Sequence, residues 1–118
     1  MDKEFQEILK TEYSTSFDEH RKKAMINSYY KYGPARKNYQ EHRCIDAVAN
    51  IRKRLERYEE TGNTEFLVDV ANFAMLEFMF PSKDGAGYKP TGTNACELVG
   101  FGINQLQGGR YGKDVCIR

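Results

Sequence analysis

The sequence lacks any long uncharged apolar run, carries almost no net charge and contains only three cysteines among its 118 residues. A membrane-spanning helix needs roughly 18 or more consecutive apolar residues, and no stretch of this chain approaches that length. The formal net charge of +1 gives no global reason to expect a nucleic acid or an anionic membrane as a partner. Any affinity for phosphate must therefore come from a local cluster of charges.

The cysteines are Cys44, Cys96 and Cys116, and none belongs to the C-x-x-C pair that is typical of a zinc or redox site. We therefore predict free thiols in a reducing cytoplasm. The amino terminus leads into charged residues rather than into a basic segment and an apolar run, so no signal peptide is expected. These features predict a cytoplasmic protein without a membrane partner.

Apolar residues recur at helical spacing in four segments, and this periodicity predicts an all-α fold. The segments run over about 2–13, 16–32, 40–60 and 65–80. Ser16 followed by Glu19 has the form of a capping box and predicts the start of the second helix. Gly33 before Pro34 predicts its end. The third segment has one regular apolar stripe, and the charged residues of its opposite face are expected to be solvated: Arg52, Lys53, Arg54, Glu56, Arg57 and Glu59.

The turn at residues 61–64 contains Gly62, which predicts an αα-hairpin over residues 45–80. The fourth helix is apolar around most of its circumference, so we expect it at the centre of the core or in a subunit interface. Eight of the ten glycines fall between Gly85 and Gly112, which predicts an irregular tail. We expect a compact bundle of about four helices in a single domain, with a helical part at 1–80 and a glycine-rich tail at 81–118 packed on it.

Polar side chains of the fourth helix form the first candidate site. Glu65, Asp69 and Asn72 stand at i, i+4 and i+7, so they share one face. Folding of the hairpin is expected to bring Asp69 level with Glu56, and Glu65 level with Glu60. Carboxylates this close repel one another unless a cation lies between them, which predicts a Mg²⁺ site. The alternative is that this line is only the wetted side of the helix.

The second candidate is a basic and aromatic stretch at residues 29–39, where the second helix ends. Arg36 and Lys37 supply charge for a phosphate, and the neighbouring tyrosines supply flat faces on which a base can stack. This combination predicts a nucleotide site. The alternative is a tyrosine-rich edge of the core followed by a solvated turn.

The segment from Thr61 to Met79, above all the Asp-Val-Ala-Asn-Phe-Ala-Met run at 69–75, resembles the last metal-binding helix of the MazG-like all-α nucleoside triphosphate pyrophosphohydrolases. The longer segment 31–80 is similar to a group of small bacteriophage and prophage proteins placed near that family. Glu56 and Glu59 match the Glu-x-x-Glu pattern of the family. Its second acidic pair corresponds to residues 65 and 69, with one residue more between them.

The resemblance implies an enzyme that uses Mg²⁺ to split a nucleoside triphosphate between its α and β phosphates. Members of the family usually assemble as dimers or tetramers. Glu65 and Asp69 are then expected to be the metal ligands. Glu56 or Glu59 is expected to be a further ligand or the base that activates water.

Arg36 and Lys37 are expected to neutralise the substrate phosphates, and Asn72 to bind the ligand or to orient a carboxylate. Two alternatives stay open. One is a non-catalytic, phage-encoded protein that binds a nucleotide or a host factor, and the other is a structural helical oligomer. The expected partners are a nucleotide and further copies of the chain, in the cytoplasm of the bacterial host if the chain is phage-encoded.

Overall fold

A computed structural model describes residues 2–92 of the chain. This part contains four α-helices, one π-helical segment and no β-strand. The elements are α1 (Lys3–Glu12), α2 (Thr15–Tyr32), the π segment (Lys37–Glu41), α3 (Ala47–Thr61) and α4 (Glu65–Met79). The predicted all-α fold and the αα-hairpin of α3 and α4 are confirmed. None of these helices is both long enough and apolar enough to cross a membrane.

The residues after α4 are irregular as far as residue 92, in agreement with the expected tail. The helical unit extends to Gly87, and Tyr88 begins a second unit. Of that second unit, only residues 88–92 are described. The predicted packing of the tail on the helical domain, together with Cys96 and Cys116, lies outside the described residues.

The start of α2 differs from the prediction. Ser14 is the N-cap residue, because its backbone is extended and its hydroxyl oxygen accepts a hydrogen bond from the N–H of Phe17 at 3.0 Å. Ser16 lies inside the first turn, so the predicted capping box of Ser16 and Glu19 is wrong. Both serines precede the apolar periodicity of this helix, and the sequence pattern does not distinguish between them.

Ser14→Ala is expected to lower the free energy of unfolding by about 1 kcal/mol, because one N–H at the start of α2 loses its acceptor. The matched control is Ser16→Ala, which removes a hydroxyl from the same turn without removing the cap. Urea unfolding followed by circular dichroism measures both. Equal effects of the two substitutions would contradict the assignment of Ser14 as the cap.

The predicted helix over about 40–60 is divided in the structure. Residues 37–41 form the π segment, in which the N–H of His42 donates to the carbonyl oxygen of Lys37 at 2.8 Å. The chain then runs without a helix to Asp46, whose carboxylate accepts from the N–H of Ala49 at 2.9 Å and caps α3. The predicted start near Gln40 is therefore wrong. Short π-helical segments are uncommon and often occur at functional sites.

The hairpin closes where the sequence predicts it. Gly62 has a φ of 71° and donates its N–H to the carbonyl oxygen of Tyr58 at 2.7 Å, a left-handed helix end that favours glycine. The side chain of Asn63 then accepts a hydrogen bond from the N–H of Glu65 at 3.0 Å. These two contacts reverse the chain and lay α4 against α3.

α4 is the central helix, because it packs against both α2 and α3. It contributes Val68 and Leu76 to the core, and α3 contributes Ala47. These three are the buried apolar residues of the described part of the chain. By contrast, α1 buries no residue and leaves its stripe of Phe5, Ile8 and Leu9 exposed. The helical unit therefore has a small core around α4.

Candidate functional site

A cavity of 580 Å³ lies between α2, the π segment and the α3–α4 hairpin. Its volume is in the range of small-molecule binding sites. Gly33 ends α2 with a φ of 88°, and the chain turns there into the π segment. This reversal places the π segment opposite α4 across the cavity. The polar and aromatic residues of the wall are Asn27, Ser28, Tyr29, Lys31, Tyr32, Asn38, Tyr39, Asn50, Arg54, Glu65, Asp69, Asn72 and Phe73.

The two candidate sites of the sequence share this cavity. The basic and aromatic stretch contributes three tyrosines and Lys31, and the polar line of α4 contributes Glu65, Asp69 and Asn72. Each group was identified from its own segment of the chain. The structure brings them together because α4 packs on α2 and the π segment folds back over the same space.

The prediction that Arg54 is part of a solvated face of α3 is wrong. Its side chain is 32% exposed, and its Nε lies 3.8 Å from Oδ2 of Asp69. Nη1 donates to the amide oxygen of Asn50 at 2.6 Å, and the guanidinium lies 5.1 Å from the ring centre of Phe73. The sequence does indicate that Arg54 is partly buried, because Arg54 stands three residues after Ile51 and so borders the apolar stripe of α3.

Asp69 has a perturbed acidity that follows from its surroundings. Burial raises the pKa of its carboxyl group, the Arg54 guanidinium lowers it, and the nearby Glu65 carboxylate raises it further. Together these effects raise the pKa of Asp69 above the ordinary value of 3.8. The partial pairing with Arg54 therefore does not compensate fully for the loss of water around the carboxylate.

Asp69→Asn is expected to raise the melting temperature at neutral pH, because the ionised carboxylate is less favourable in the folded protein than in the unfolded chain. Because the pKa of Asp69 in the folded protein is above 3.8, the ionised carboxylate destabilises the folded state at neutral pH. This destabilisation is lost as the carboxylate becomes protonated, and it is absent at pH values below 3.8. Thermal melts of the two proteins from about pH 7 to about pH 3 should therefore converge at the acidic end. Asp84→Asn, at an exposed position after α4, is the matched control. A gain that persists unchanged at low pH would contradict this explanation.

Asn72 is 6% exposed and joins α4 to α2. Its amide nitrogen donates to the carbonyl oxygen of Arg21 at 3.1 Å, and its amide oxygen accepts from Nε of the same residue at 3.2 Å. The guanidinium of Arg21 also contacts Sδ of Met75 at 3.2 Å and Oδ1 of Asp18 at 3.4 Å. Asn72 thus borders the cavity, as its predicted role in binding requires. Its amide oxygen and its amide nitrogen are, however, both hydrogen-bonded to Arg21 of α2.

The other predicted residues lie away from the cavity. Arg36 pairs with Glu41 at 2.6 Å, and Lys37 is exposed at the start of the π segment. Glu56 and Glu59 are exposed on α3 and are absent from the cavity wall. The positive charges in the cavity wall come instead from Lys31 and Arg54.

Of the four predicted acidic residues, only Glu65 and Asp69 line the cavity. Across residues 2–92, no three His, Cys, Asp or Glu side chains are grouped closely enough to hold a metal ion. Mg²⁺ is commonly bound by one or two carboxylates together with water and substrate phosphates. The pair on α4 is compatible with that kind of site, although Arg54 competes for Asp69.

Three side chains of the wall have unused hydrogen-bonding capacity. Tyr39 is half-buried, and burial raises the pKa of its hydroxyl, which is therefore protonated at neutral pH. Within the described residues, the side chains of Tyr39, Asn27 and Glu65 make no hydrogen bond to another protein group. Asn27 and Glu65 are exposed to water, so a ligand in the cavity reaches their polar atoms by displacing water rather than a protein partner.

No protein-family model, curated protein or solved structure matches this chain. Function is therefore inferred from the cavity and its chemistry.

Proposed function

We propose that this protein binds a nucleoside or nucleotide in the 580 Å³ cavity. The observation that carries the proposal is the meeting of three tyrosines with unused polar groups in one wall. Tyrosine rings provide faces on which any base can stack, and stacking contributes about 1–3 kcal/mol per base. Asn27 and Tyr39 offer both donors and acceptors, which suit the edge of a base.

The charge of the wall favours a ligand of low charge. Lys31 and Arg54 balance Glu65 and Asp69, so the four formal charges sum to zero. Such a site has no excess positive charge for the several negative charges of a triphosphate. A nucleoside or a monophosphate is therefore expected to bind without a metal ion.

The proposal is tested by nucleoside affinity in a matched pair of variants. Tyr39→Leu is expected to weaken nucleoside binding about tenfold, because it removes one stacking face. Tyr30→Leu is the control, since Tyr30 is 83% exposed and is absent from the wall. Isothermal titration calorimetry measures the affinity of each, and a thermal shift confirms that the ligand binds the native state. No detectable binding of any ribonucleoside or monophosphate by the unmodified protein would refute the proposal.

The second candidate is Mg²⁺-dependent hydrolysis of a nucleoside triphosphate, as the resemblance to the MazG-like family implies. The observation that favours it is the position of Glu65 and Asp69, one helical turn apart in the wall of the cavity. A divalent ion there supplies the positive charge that a triphosphate requires. The expected result is pyrophosphate release that stops on chelation and in Asp69→Ala. Tight nucleoside binding that survives a chelator, without any product, supports binding alone.

Self-association is proposed alongside ligand binding. The stripe of Phe5, Ile8 and Leu9 on α1 is exposed, although it has the periodicity of a face that packs. Exposed apolar faces of this kind often mark contacts between proteins. The members of the family that this chain resembles form dimers or tetramers. Sedimentation equilibrium is expected to give a mass above 13.7 kDa, and a monomer at every concentration would contradict this part of the proposal.

A further inference from the structure

A second cavity of 430 Å³ adjoins the first. Four residues line both cavities, and they come from α2 and α4: Ala24, Asn27, Glu65 and Asp69. The boundary between the cavities is therefore polar on the α4 side and carries an amide on the α2 side. A ligand whose base occupies the tyrosine-lined cavity can extend to this boundary, because the same side chains line both cavities.

The boundary offers a specific set of free hydrogen-bonding groups. The carboxylate of Asp69 lies beside Arg54, so it is partly neutralised. Glu65 and Asn27 are both exposed to water. The carboxylate of Glu65 makes no hydrogen bond and no ion pair with any residue between 2 and 92, and the amide of Asn27 makes no hydrogen bond there. The carboxylate accepts only, whereas the amide both donates and accepts.

We propose that the ligand is a ribonucleoside-type molecule whose vicinal diol binds at Glu65 and Asn27. The inference rests on the proposed function, and it adds the class of sugar that the site selects. Two adjacent hydroxyl groups donate to the carboxylate oxygens, and their oxygen lone pairs accept from the amide N–H of Asn27. Carboxylates recognise the ribose diol in other nucleotide-binding folds for the same chemical reason. The hydrogen bonds involve a charged acceptor, which makes them stronger than those between neutral groups.

The alternative occupant of this boundary is a positive group, such as an amine. Glu65 and Asp69 lie one turn apart, and a cation between them relieves their repulsion. The two kinds of ligand predict a different dependence of nucleoside affinity on the sugar. A diol-binding site distinguishes adenosine from 2′-deoxyadenosine, whereas a cation site does not.

The test compares adenosine with 2′-deoxyadenosine by calorimetry on the full chain. The unmodified protein is expected to bind adenosine about tenfold more tightly, because the deoxy ligand leaves a charged acceptor without a donor. Glu65→Gln is expected to reduce this preference to about threefold or less, since the neutral amide accepts more weakly. Glu4→Gln, at an exposed position on α1, should keep the tenfold preference. Circular dichroism confirms that each variant folds.

Three outcomes overturn the inference. Equal affinity for the two nucleosides, with Tyr39→Leu still weakening both, refutes the diol site and leaves nucleoside binding standing. A preference that is the same in Glu65→Gln and in Glu4→Gln places sugar recognition elsewhere. Binding of a simple amine such as putrescine that is lost in Glu65→Gln, without discrimination between the nucleosides, establishes a cation site instead.

Discussion

Leu76→Ala is expected to lower the free energy of unfolding by about 2–5 kcal/mol, the largest effect among the substitutions considered within residues 2–92. Leu76 is 5% exposed and is one of three buried apolar residues in the described part of the protein. Truncation removes apolar surface from the core and leaves a void beside the cavity, where α4 faces its neighbours. Because a small domain has a total stability of about 5–15 kcal/mol, the variant is expected to be largely unfolded on warming.

The matched control is Leu55→Ala, which removes the same atoms from a residue of α3 that is 42% exposed. Urea unfolding of both variants, followed by circular dichroism, gives the two differences directly. Leu55→Ala is expected to cost clearly less than Leu76→Ala. Equal losses would mean that α4 is not the centre of the core.

Asn72→Ala is expected to have the second-largest effect, a loss of about 1–3 kcal/mol in the free energy of unfolding. The substitution removes both hydrogen bonds between the amide and Arg21, so a carbonyl oxygen and a guanidinium N–H lose their partner between α2 and α4. Asn27→Ala is the matched control, because its side chain makes no hydrogen bond within the described residues and is exposed.

A double-mutant cycle tests whether the effect of Asn72→Ala depends on the Arg21 side chain. Arg21→Met removes Nε but keeps the backbone carbonyl oxygen, so the two substitutions should be less than additive. Strict additivity would show that the hydrogen bond from Nε of Arg21 to Asn72 does not contribute to stability. A loss of stability no larger than in Asn27→Ala would contradict the role of Asn72 as the link between α2 and α4.

The helices and the hairpin were predictable from local signals. The apolar period of three to four residues defines α1 and most of α3, and Gly62 determines where the hairpin turns. The π segment was not predictable, because residues 37–41 continue the same polar and aromatic composition without a breaking residue. The choice between Ser14 and Ser16 as a cap depends on backbone conformation, which their shared chemistry does not reveal.

The candidate site was predictable in its parts and not in its assembly. Successive residues of an α-helix are separated by about 100°, so Arg54 and Glu56 point to nearly opposite sides of α3. Once α4 folds back, Arg54 and not Glu56 lies beside Asp69. That pairing depends on the rotation of α3 about its own axis, which the hairpin length alone does not specify. The engagement of Asn72 by Arg21 depends in the same way on how α2 crosses α4.

The most direct test of the central claim is a titration of the ¹⁵N-labelled protein with adenosine, followed by amide chemical shifts. Shifts are expected to concentrate around the cavity, at the amides of residues 27–29, 31–33, 38–39, 65 and 69, with little change along α1. Tyr39→Leu should weaken the response without moving its location. The titration is repeated with guanosine, cytidine and uridine if adenosine does not bind. Saturating ribonucleosides that all leave these amides unchanged, or that shift only residues outside the wall, would contradict a nucleoside site in this cavity.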